Sequence, residues 1–216
     1  MIALRGLLPC IVMGLVLFGC AGRIDVWTFW AWLAVMWGTF AAIYTRLEKT
    51  NPELVRERMK PPSDRDRATR RLVALPFLAM LVIAGLDVRF GWTPVSTTVS
   101  AIGLVFWFLG LAISGWVLFA NPYASSAVRI QDERGQRVID TGPYAFVRHP
   151  MYTAVVVVCL ACGPALGSWL AGLCALPVIV IFLRRTSIED RMLHGELAGY
   201  VDYAARVRWR VVPFVY

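Results

Sequence analysis

Five uncharged, apolar runs, at 6–22, 26–45, 72–86, 90–128 and 151–183, decide what this chain of 216 residues can become. A helix needs about 20 residues to cross the hydrocarbon of a bilayer, and most of these runs approach or exceed that length. With 58% hydrophobic and only 17% charged residues, the composition is not that of a soluble domain. The expected fold is all-α: a polytopic transmembrane helical bundle of about five to six segments, the last two forming a hairpin, followed by a short helical tail. A solenoid, a disulfide scaffold and a large extramembrane domain are excluded, because the longest polar stretch, 46–71, cannot bury a core of its own.

The net charge of +8 gains its meaning from placement. Nine Lys/Arg fall in 46–71, four in 121–150 and six in 184–216; with Arg5 these make twenty of the twenty-two, leaving Arg23 and Arg89 for the opposite turns. By the positive-inside rule, both termini, loop 46–71 and loop 121–150 face the cytoplasm. Because acids share the same loops, the basic balance reads as topology, and no nucleic-acid partner is expected. Short loops suggest a bacterial inner membrane.

All five cysteines, Cys10, Cys20, Cys159, Cys162 and Cys174, lie in apolar runs and read as buried reduced thiols. Cys159-x-x-Cys162 has no second pair and no nearby histidine, so no metal is expected. The segment ending Leu17-Phe18-Gly19-Cys20 loosely resembles a lipoprotein signal, but Phe18 is bulky where small residues are preferred, so an uncleaved first span is expected. The run 151–183 holds 33 residues, too many for one crossing and fewer than the roughly 40 that two full crossings use. Breaks at Gly163-Pro164 and Gly167-Ser168 would fold it into a compact hairpin. The chain then divides into helices and loop over 1–120 and a candidate ligand-binding region over 121–216 with hairpin 150–183.

Polar residues that are not loop filler gather at two places. Tyr144, Arg148, His149, Pro150 and Tyr152 lead into the hairpin, and Pro150 suits a first helical position, where its missing N–H costs nothing. Arg148 and His149 would then stand at a positive helix start, a seat for carboxylate or phosphate. At the other end of the hairpin come Glu189 and Asp190, which on a helix point about 100° apart and so do not form a proton-sharing dyad. Taken alone, both places could be structural, the first a capped helix with an interfacial arginine and the second surface pairs worth about 0.3–0.5 kcal/mol each. Both ends of a hairpin reach the same face, however, and cations beside carboxylates suit a zwitterionic ligand.

Gly142-Pro143-Tyr144, Arg148-His149-Pro150-Met151-Tyr152, the turn Gly167-Ser168-Trp169, Glu189-Asp190-Arg191-Met192-Leu193 and Tyr200-x-x-Tyr203 together resemble the isoprenylcysteine carboxyl methyltransferase family, itself related to the phospholipid methyltransferases. The likeness covers roughly 121–213, and Asn51-Pro52-Glu53-Leu54 followed by Glu57-Arg58 is similar to that family's first cytoplasmic loop. Two departures stand out: Ala154 where the family usually has Gly, and Asp190 where it usually has a second Glu. The resemblance implies S-adenosylmethionine as methyl donor, with Arg148, His149 and Glu189 as catalytic residues and Tyr144, Pro150, Tyr152, Asp190 and Tyr203 joining them around the donor. It also implies an amphipathic or lipid-like acceptor. A small thiol or amine as acceptor, or a non-catalytic scaffold or transporter, are the alternatives. No G-x-G-x-x-G occurs, which excludes the soluble nucleotide-binding sheet. An apolar acceptor is expected to slide in past the small residues Gly103, Gly110 and Ser114.

Overall fold

A computed structural model describes residues 6–60 and 64–216; Arg5 and the Pro61-Pro62 pair lie outside the described residues. Among them are eight α-helices and no strand: α1 (Leu7–Ala21), α2 (Trp27–Thr50), α3 (Pro52–Arg58), α4 (Asp64–Phe90), α5 (Thr97–Ala120), α6 (Pro150–Leu166), α7 (Trp169–Glu196) and α8 (Tyr200–Arg206). Three segments are long and apolar enough to cross a membrane, Arg67–Phe90, Thr97–Ala120 and Trp169–Glu196, while α1 and α6 are apolar but shorter. The all-helical membrane bundle is therefore as expected. The third segment differs from the sequence reading, which starts it at residue 72: α4 begins at Asp64, because a charged stretch with no proline or glycine continues the helix beyond the apolar run.

The short turns 22–26, 91–96 and 167–168 gather at one end of the bundle, and the long loop 121–149 lies at the other. At the short-turn end, the Asp87 carboxylate, almost fully buried, accepts from the Thr93 backbone N–H at 2.6 Å, from the Thr93 hydroxyl, and from the Ser168 hydroxyl at 2.5 Å. Thr28 donates to the Leu166 carbonyl at 3.4 Å at this same end. Buried carboxylates are stable only when so supplied with donors, and this one ties α4 to the tip of the α6–α7 hairpin.

The α6–α7 turn follows from two residues. Gly167 adopts φ +81°, which glycine tolerates, and the N–H groups of Gly167 and Ser168 return to the carbonyls of Pro164 and Gly163, both at 3.0 Å, ending α6. Ser168 then caps α7 by accepting from the Ala171 N–H at 3.0 Å. Gly163-Pro164, expected as a second break, remains helical. Its small residue serves packing instead, since a Cβ at Gly163 would lie 2.5 Å from the Gly172 Cα of α7. Gly163→Val is accordingly expected to lower stability by about 1–3 kcal/mol through overpacking. An unchanged melting temperature of the detergent-solubilised variant would show that the helices do not cross there.

Close packing also corrects the expected entrance beside Gly103, Gly110 and Ser114. A Cβ at Gly103 would meet the Ala165 backbone nitrogen at 2.6 Å, and one at Gly110 the Val158 side chain at 2.7 Å. Ser114 spends its hydroxyl on the Gly110 carbonyl at 3.2 Å. That face is sealed by α6, because small residues let two backbones meet.

Candidate active site at the basic end of the bundle

Pro150 opens α6, as its residue type requires, so Arg148 and His149 stand immediately before the first turn. The C-terminal tail is laid across this start. The Arg148 N–H donates to the Trp209 carbonyl at 2.9 Å, the His149 N–H to the Arg210 carbonyl at 2.8 Å, and the Thr153 hydroxyl to the Val211 carbonyl at 2.6 Å. Opposite them, α7 continues past Arg184-Arg185 out of the apolar zone and carries Glu189 and Asp190.

These two acids part company, as adjacent positions on a helix must. Asp190 turns toward the α6 start and the tail and is only 1% exposed. Its Oδ1 accepts from Arg148 Nε at 2.9 Å and from the Tyr200 hydroxyl at 2.9 Å, and lies 3.0 Å from His149 Nε2. Its Oδ2 accepts from Arg148 Nη2 at 3.2 Å and Arg210 Nε at 3.0 Å. Burial works against the charge of Asp190, yet the hydrogen bonds from His149, Arg148 and Tyr200 outweigh it and hold the carboxyl well below the usual carboxylate range. Arg148 donates further to the carbonyls of Val207 and Arg208, both at 3.0 Å, so four of its five N–H donors are used inside the protein.

Glu189 faces the other way, into a cavity of about 470 Å³, within the size range of small-ligand sites. It accepts a hydrogen bond from the Tyr152 hydroxyl, which in turn accepts from Arg185 Nε at 3.1 Å. Among the described residues, Glu189 is the one acid lining this cavity, against the arginines Arg58, Arg129, Arg137, Arg148 and Arg185. Tyr144 and Tyr203 form a further wall: the Tyr203 hydroxyl donates to the Tyr144 carbonyl at 2.8 Å, and Asn121 Nδ2 donates to the Tyr144 hydroxyl at 2.8 Å. Deeper in, the lining becomes apolar, with Val73 and Phe77 from α4, Val155 from α6 and Phe182 from α7.

The helix α3 is clasped to the loop between α5 and α6 beside this cavity. Asn51 caps it by accepting from the Leu54 N–H at 3.0 Å, and the buried Glu57 accepts from Arg129 at 2.6 Å and pairs with Lys60. Arg134 bridges to Glu53 at 3.0 Å and to the Pro122 carbonyl at 3.0 Å.

Of the eight residues expected around the ligand, Tyr144, Arg148, His149, Pro150, Tyr152, Glu189 and Tyr203 all line the cavity. Asp190 does not; it lies behind the wall, where it ties Arg148 and His149 to the tail. Sequence reasoning missed Arg185, Asn121, Tyr200 and Arg210. Tyr200 stands in the Tyr-x-x-Tyr pattern and was available from it, whereas nothing local distinguishes Arg210 from the other five basic residues of 184–216.

The phospholipid methyltransferase family model matches residues 81–197, which takes in the end of α4, all of α5 and α6, and α7 with its Glu189-Asp190 pair. No curated protein matches the chain significantly. Since the match covers more than half of the sequence and includes both arms of the cavity wall, the chain belongs to the phospholipid methyltransferase family.

Proposed function

We propose that the protein is an integral membrane methyltransferase that takes its methyl group from S-adenosylmethionine and passes it to an amphipathic acceptor, such as a lipid or an isoprenylated cysteine carboxylate. The observation that carries this reading is the cavity in which the Arg148-His149-Pro150 start of α6 meets Glu189 of α7, with tyrosines between them. The donor set fits the cofactor: one carboxylate, Glu189, for an ammonium or ribose hydroxyls; tyrosine faces for a sulfonium; and cations for a carboxylate. When bound, S-adenosylmethionine supplies an electrophilic methyl group.

In this reading Tyr144, His149, Pro150, Tyr152, Glu189 and Tyr203 contact the cofactor. Arg148 reaches the cavity with what remains of its donors. Asp190 is a positioning residue, holding Arg148 and His149 in place from behind. Methyl transfer asks for alignment and exclusion of water more than for covalent help. The buried hub supplies alignment, and the clasp of α3 on the loop supplies cover. A carboxylate acceptor needs no base; His149 is the group placed to take a proton from a neutral amine or thiol. Residues 121–216 then form the cofactor region and 1–120 its membrane scaffold, with the basic end and both termini in the cytoplasm of a bacterial inner membrane.

Membranes containing the protein, given methyl-tritiated S-adenosylmethionine, are expected to transfer label into the organic-extractable fraction. Label that stays in the aqueous fraction at the level of membranes lacking the protein would overturn the proposal.

A further inference from the structure

His149 meets the buried hub through one ring nitrogen and the chamber through the other. On the hub side, Nε2 lies 3.0 Å from Asp190 Oδ1 and 3.3 Å from the Tyr200 hydroxyl, which itself donates to the same Oδ1 at 2.9 Å. A carboxylate oxygen only accepts, and a phenol has one proton to give, which here goes to the nearer and charged Oδ1. The Nε2 that faces both oxygens must therefore carry a hydrogen, since a lone pair there would meet the lone pairs of Oδ1. On its other side the ring lines the cavity, stacked on Tyr152 with centroids 5.9 Å apart. Among the described residues Nδ1 has no hydrogen-bond partner, and the unpaired side-chain nitrogens and oxygens sealed in the interior are the indole nitrogens of Trp32 and Trp107 alone. Nδ1 accordingly opens onto the chamber.

Resting on the methyltransferase reading above, we propose that Asp190 fixes the neutral His149 ring with its hydrogen on Nε2, so that Nδ1 meets bound molecules as a hydrogen-bond acceptor. The ring is then no part of a seat for the cofactor's carboxylate, although it stands before a helix start. It takes an N–H or O–H donor, either from the cofactor's ammonium and hydroxyls or from the methyl acceptor. The hub also dictates what loss of the Asp190 charge does. Oδ2 faces two guanidinium donors, Arg148 Nη2 and Arg210 Nε, whereas Oδ1 faces one, Arg148 Nε, beside two groups that can reverse their roles, Tyr200 and His149. An asparagine at 190 therefore keeps its oxygen at the Oδ2 place and turns its NH2 toward Nε2, which must then accept, and the ring hydrogen moves to Nδ1.

The chain has two histidines, and the second is an internal reference: His194 Nδ1 lies 2.7 Å from the Asp190 carbonyl, which only accepts, so His194 carries its hydrogen on Nδ1. Nitrogen-15 NMR of the whole protein in detergent, labelled at histidine and recorded at about pH 9, where histidine rings are ordinarily neutral, is expected to show the two rings as opposite tautomers. His194→Gln assigns the signals. Asp190→Asn is expected to move the His149 hydrogen to Nδ1, while Tyr200→Phe, which removes a bond from the hub but leaves the carboxylate, keeps it on Nε2. A wild-type His149 with its hydrogen on Nδ1, or on both nitrogens, would overturn the proposal whether or not Asp190→Asn folds, and so would a folded Asp190→Asn protein with an unchanged tautomer. Saturating S-adenosylmethionine is expected to leave Nδ1 without a hydrogen of its own; a moved Nδ1 signal then assigns the donor to the cofactor, and an unmoved one assigns it to the methyl acceptor. A ring that becomes doubly protonated on adding S-adenosylmethionine, as beside a carboxylate, would overturn the proposal. A folded protein that keeps the Nε2 hydrogen but binds no cofactor contradicts the methyltransferase reading and leaves the assignment of the ring standing.

Discussion

Asp190→Ala is expected to cost about 3–5 kcal/mol of stability, the loss seen when one partner of a buried ion pair is removed. Its side chain is the common acceptor for Arg148, Arg210 and Tyr200 and a partner of His149, all brought together from the α6 start, α8 and the tail. Without it, two guanidinium groups lose their counter-ion, and the tail loses a principal tie to the bundle. Asp190→Asn retains an acceptor oxygen but not the charge, so it should fall between alanine and wild type. Thermal unfolding in detergent reads both variants, and an Asp190→Ala melting temperature equal to wild type would show that the hub does not hold the tail.

Glu189→Ala, one residue away, is expected to give the opposite pattern. Its carboxylate faces the cavity and holds the Tyr152 hydroxyl in the wall, so stability should change little. Affinity for S-adenosylmethionine should fall by about 1–3 kcal/mol if the carboxylate makes a charged hydrogen bond to the cofactor. His149→Ala should weaken binding in the same range while also lowering stability, because its ring touches the Asp190 hub. Calorimetric titration beside thermal melts distinguishes the two positions, and an unaltered affinity in a folded Glu189→Ala protein would remove Glu189 from the site.

The contrast between Glu189 and Asp190 shows where sequence reasoning reaches and where it stops. Helical geometry alone separates their directions, and the length of the run 151–183 brings their end of α7 back beside Arg148 and His149. What periodicity could not supply is which acid faces the cavity, since that depends on the tail 207–211 crossing the α6 start, a contact between residues about sixty positions apart. Small residues were misread for a related reason. Gly103, Gly110 and Gly163 have the same sequence appearance whether they line a groove, break a helix or admit a neighbouring backbone. Only the partner's position, Ala165, Val158 or Gly172, decides among these.

Isothermal titration of the detergent-purified protein with S-adenosylmethionine asks most directly whether the chamber between α6 and α7 is a cofactor site. Saturable one-to-one binding is predicted, weakened in Glu189→Ala. A wild-type protein that unfolds cooperatively on heating, and is therefore folded, yet shows no saturable binding would contradict it.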